Sequence, residues 1–109
     1  MRRIVVFREG NMMGAMVGPD LVIGLGGFGE TVRDALCDLA NGFDEHGYSL
    51  NGNAVTVEVS GKRVSADGLV PSDAIRKLAW IVEERGYTEQ DFPDLDWTRI
   101  AAEPPLVDR

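Results

Sequence analysis

The chain has 109 residues, 44% of them hydrophobic and 27% charged, which suits one modest core and excludes both a second domain and the composition of a disordered chain. Eighteen acidic side chains against eleven basic ones give a net charge of -7, which argues against a nucleic-acid binder because phosphate contacts need Lys and Arg. One cysteine, Cys37, and one histidine, His46, exclude an internal disulfide and a Cys/His zinc site.

The apolar run Ile4-Val5-Val6-Phe7 after Arg2 and Arg3 is too short for a signal peptide or a membrane span, so cytoplasmic residence is expected. Ile4 to Arg8 reads as a strand, Glu9-Gly10-Asn11 as a turn, and Gly14 to Val17 as the returning strand of a hairpin. Pro19-Asp20 breaks the chain, and Leu21-Val22-Ile23 reads as a third short strand.

From Thr31 the apolar period changes. Val32, Ala35, Leu36, Leu39, Ala40 and Phe43 fall on one stripe of a helix, with Thr31 and Asp34 at capping-box spacing. This helix spans 31 to 45, carries Asp34, Asp38 and Glu45 on its outer face, and is expected to weaken near Gly42 and stop before Gly47. After the turn Asn51-Gly52-Asn53, Val55, Val57 and Val59 alternate with polar residues as in a half-buried strand, and Arg63 to Ala66 offers a return strand.

Pro71-Ser72-Asp73 opens a second helix with Ser72 as its expected N-cap; Ile75, Leu78, Ala79 and Val82 form the buried stripe, Gly86 ends it, and Trp80 points away from the stripe. Residues 1–86 thus read as one α+β domain, and 87–109 as an irregular acidic tail with part of it packed on that domain. In the tail, Glu89, Asp91, Asp94 and Asp96 interleave with Phe92 and Trp97, a pattern suited either to docking a basic partner or, as the stronger reading, to a tail folded on its own core.

Gly24-Leu25-Gly26-Gly27-Phe28-Gly29 is a literal G-x-G-x-x-G between a strand and a helix, the context of a dinucleotide fingerprint. No alternating βαβ series follows it, and Glu30 would put a carboxylate beside the pyrophosphate, so the glycines read better as a tight strand-to-helix turn. No nucleophile has an adjacent base, the acids do not converge on a metal, and neither cofactor nor catalysis is expected.

Gly18-Pro19-Asp20-Leu21, and then Gly29-Glu30-Thr31-Val32-Arg33-Asp34-Ala35-Leu36, resemble the core of the HicB antitoxin family, in which a Pro-Asp-Leu segment precedes a Gly-Asp-Thr-x-x-x-Ala-Leu helix start. The resemblance covers about the first 60 residues. It implies a β-β-β-α-β core of partial RNase H type, frequent dimerisation, no catalysis, and binding to a small basic RNA-cleaving toxin, HicA. The family's C-terminal DNA-binding segment has no counterpart, because residues 71–109 are acidic and lack a basic recognition helix. The leading expectation is therefore a protein-binding module that holds a basic protein through the acids of the first helix and tail, with Trp80, Phe92 and Trp97 as apolar contacts. The alternatives are a phage-type inhibitor that imitates nucleic acid, and a small nucleotide-binding protein using Gly24 to Gly29.

Overall fold

The computed structural model describes residues 2–17, 26–46, 54–59 and 61–94. They form an α+β fold in the order β1 (Arg2–Glu9), β2 (Met12–Val17), β3 (Gly26–Gly29), α1 (Val32–His46), β4 (Val55–Val59), β5 (Lys62–Ala66) and α2 (Pro71–Glu84), followed by a short 3₁₀ turn at Glu89–Asp91. The strands make one mixed sheet in the order β3-β2-β1-β4-β5. The unbroken apolar run of β1 has its physical reason here, since the strand is central and has side chains packed on both faces.

The hairpin β1-β2 pairs Glu9 with Met12 across Gly10-Asn11 and continues to Ile4 and Val17. β3 adds antiparallel to β2, with Gly14 opposite Phe28, while β4 lies parallel to β1 at Arg2 and Arg3 and β5 returns antiparallel to it. The path from β3 through α1 to β4 therefore crosses over two strands. It leaves both helices on one face, α1 above β2 and β3, and α2 above β4 and β5.

Ile4, Val6, Met13, Ala15, Val17, Val55, Val57, Val59 and Val64 point toward that helix layer and meet the stripes of α1 and α2. The other face is divided. Its β1-β2-β3 half carries Phe7 edge-on to Phe28, ring centroids 6.3 Å apart, and its β4-β5 half is polar. There the Thr56 hydroxyl donates to the Val64 carbonyl at 3.0 Å and accepts from Ser65 Oγ at 3.0 Å.

Several local expectations need correction. The segment Leu21–Ile23 lies outside the described residues, and the third described strand is the glycine stretch itself, Gly26 to Gly29, which is no turn. Glycine is required at Gly27 by contact: a Cβ there would overlap the backbone of α1 at Ala35 and Leu39. Gly14 plays the matching part on the opposite face, where a Cβ would enter the Phe7 ring. α1 runs through Gly42 without a break, its last turn held by the buried Phe43.

α2 begins at Pro71, with Val70 and not Ser72 as its N-cap; Ser72 is buried. The expected stop at Gly86 takes the form of a Schellman motif, Gly86 N–H donating to the Glu83 carbonyl at 3.0 Å and Tyr87 N–H to that of Val82 at 3.2 Å. Among the described residues no helix is long and apolar enough to cross a membrane.

Candidate partner-binding surface

The acids singled out in the sequence have distinct local employments. At the start of α1, Asp34 N–H donates to Thr31 Oγ1 at 3.1 Å, the cap that the spacing implied, and the Asp34 carboxylate lies 3.8 Å from Arg33. Asp38 reaches sideways to the edge strand, where its Oδ2 accepts the backbone N–H of Phe28 at 3.0 Å. That N–H points away from β2, so the carboxylate covers a group that would otherwise template another strand. Glu45, exposed near the end of α1, makes no ion pair among the described residues.

Of the tail residues, Asp91, Phe92 and Asp94 lie among the described residues and are engaged by the fold. Asp91 accepts from Thr88 N–H at 2.7 Å and completes a capping box on the 3₁₀ turn. Asp94 pairs with Arg8 at 3.4 Å, and Arg8 N–H donates to the Pro93 carbonyl at 2.8 Å, on the edge of β1 that β4 occupies at Arg2 and Arg3. Phe92, read both as a candidate docking aromatic and as a residue that packs the tail on its own domain, is 2% exposed and belongs to the core cluster, which leaves the second role. Its burial has a plain cause: Asp94 bridges to Arg8 of β1, and that pairing brings Phe92 into the core cluster. Asp96 and Trp97 lie outside the described residues.

Trp80 stands where the helical phase put it. Its side chain is 61% exposed on the face of α2 opposite Ile75, Leu78, Ala79 and Val82.

The sequence reading missed the pairs that fasten α1 to α2. Arg76 reaches Asp44 at 2.6 Å and Asn41 at 2.8 Å, and Arg33 reaches Glu83 at 3.4 Å. The first pair joins the end of α1 to the first half of α2, and the second joins the start of α1 to the end of α2, so the helices run antiparallel. A hydrogen bond from the buried Ser72, followed by that from Arg76, holds the Asp44 carboxyl below its ordinary pKa. Asp44 takes its partner from the neighbouring helix, which no spacing within α1 reveals.

No family model, curated protein or solved structure matches the chain. The surface must therefore be read from its own chemistry.

The charge balance differs between helices and strands. The two helices carry seven carboxylates (Asp34, Asp38, Asp44, Glu45, Asp73, Glu83 and Glu84) against Arg33, Arg76 and Lys77. The five strands have the opposite balance, with Arg2, Arg3, Arg8, Lys62 and Arg63 against Glu9 and Glu58. Among the described residues no group of three or more His, Cys, Asp or Glu could hold a metal ion. The glycines from Gly26 to Gly29 are taken up in the ladder with Met13 to Met16 and against α1, which is not the open loop that cradles a pyrophosphate. Gly24 lies outside the described residues.

Proposed function

We propose that this chain is a non-catalytic protein-binding module, similar to the HicB antitoxins, that holds a basic protein through the outer surface of its two helices. The observation that carries the reading is the acidic excess of the helices, seven carboxylates against three cations. An acidic helix surface attracts an approaching basic protein and raises its rate of encounter. The β-β-β-α-β order of the first five elements supports the resemblance. The exposed Trp80 supports a protein partner, because tryptophan is enriched among residues that dominate binding energy.

The test uses a small basic protein encoded beside this chain in its source genome, titrated at low and high salt, with amide exchange mapped on the complex. The expected result is binding that weakens as salt rises through about 0.15 M, with protection on α1 and α2. Protection confined to the strands, or binding indifferent to salt, would sink the reading. The same acidic layer also suits imitation of nucleic acid. In that case the partner is itself a nucleic-acid-binding protein, and the chain competes with DNA or RNA for it.

A further inference from the structure

Trp80 lies near the middle of the outward face of α2, about half a turn from Val82, Leu78 and Ile75 at 100° per residue. An indole in that position adds nothing to the core and helps the helix less than Ala, Lys or Glu would. The charged residues around it fall into two groups. Arg76 is engaged by Asp44 and Asn41, and Glu83 by Arg33, so both belong to the helix-helix fastening. Asp73, Lys77 and Glu84 are exposed and make no ion pair among the described residues. Glu84 is four residues beyond Trp80 and shares its face, so an exposed indole has a carboxylate one turn away with no cation assigned to it.

We infer that Trp80 and Glu84 form an arginine-accepting point on the partner surface, which takes a guanidinium of the basic partner flat against the indole with its edge toward the carboxylate. This rests on the reading of the helix layer as the surface for a basic protein. Arginine fits better than lysine because its delocalised plane stacks on an aromatic face while its N–H fork meets a carboxylate. Lys77, three residues before Trp80, repels a cation from the N-terminal side and leaves the Glu84 side as the approach.

The experiment uses the full chain with Trp97→Phe, which leaves Trp80 as the sole tryptophan of the original two. It is titrated with two synthetic peptides of equal length and charge, one basic through arginine and one through lysine, by calorimetry and indole emission. The expected result is a shift in emission with the arginine peptide and binding about fivefold tighter than the lysine peptide. Adding Trp80→Leu, or separately Glu84→Gln, should reduce that preference while weaker binding of both peptides persists. Equal binding of the two peptides, or a preference that survives Trp80→Leu, overturns the arginine point and leaves the acidic surface standing. If neither peptide binds at low salt, both readings fall.

Discussion

The Asp38 carboxylate accepts the Phe28 N–H at 3.0 Å, and this contact joins the outer face of α1 to β3, the edge strand among the described residues. Two structural duties thereby fall on one residue pair. The edge strand loses an open donor, and α1 gains a polar tie to a strand whose only side chain beyond hydrogen is that of Phe28. The glycines of β3 let α1 approach until Gly27 touches its backbone, and that approach brings Asp38 within reach of the edge.

Asp38→Ala should therefore act first on β3. Loss of a hydrogen bond to a carboxylate at an exposed site predicts a stability decrease of about 1 kcal/mol, read from the denaturant midpoint. The more specific outcome is faster hydrogen exchange at the Phe28 amide, with the β4 and β5 amides unchanged. Uniform acceleration across the sheet would mean that Asp38 matters only to global stability. Size-exclusion chromatography should also detect more self-association, since an uncovered edge is a template for pairing.

Gly27→Ala tests the close approach itself. Its Cβ meets main-chain atoms of α1 at Ala35 and Leu39, which cannot rotate aside, so helix and strand must separate. Overpacking of this kind predicts a loss of about 3 kcal/mol. Gly14→Ala meets the Phe7 ring instead, a side chain and not main chain, and should cost less. If the two variants proved equally stable, α1 would have room to shift and Gly27 would not be required by contact.

The ion pair between α1 and α2 makes a pH prediction. The Asp44 carboxyl is held below its ordinary pKa by Ser72 and Arg76, so its contribution is fully present above the unfolded-state value of about 4 and is lost as pH falls toward the depressed folded value. Asp44→Asn should lower stability at neutral pH, and its difference from the parent should shrink below about pH 4. Because Asp44 is half exposed, added salt should narrow the neutral-pH difference as well. A difference constant from pH 3 to pH 7 would show that the charge of Asp44 is not what fastens the helices.

How far the sequence exposed this molecule depended on whether a feature is local. The stripe from Val32 to Phe43, the alternation of Val55, Val57 and Val59, the Thr31 cap and the stop at Gly86 are set by neighbours within a turn or a strand, and all were legible. Trp80 was legible as an outward residue for the same reason. The glycine stretch was misread because its strand character comes from β2 on one side and α1 above, with no β-forming side chain of its own except Phe28. The Asp44–Arg76 and Asp38–Phe28 contacts depend on how elements pack, and no spacing in the chain encodes them.

Phe92 marks the same boundary in the tail, where surrounding acids gave it the look of a docking residue and tertiary pairing made it core. Beyond Arg3, the edge of β1 is taken next at Arg8, by the carbonyl of Pro93, and Phe92 turns inward beside that junction to join Val6, Val59 and Val82 in one cluster. Truncation leaves a cavity in the core, so Phe92→Ala should cost about 3 to 5 kcal/mol, while Phe92→Leu, which retains much of the volume, should cost markedly less. The order matters more than either value. Phe92→Ala should also accelerate exchange at the Arg8 amide, because the Pro93 carbonyl that accepts it is positioned by the buried ring. A Phe92→Ala protein with the parent's denaturant midpoint and an unchanged Arg8 amide would return Phe92 to the surface, and with it the reading of residues 91–94 as a docking strip.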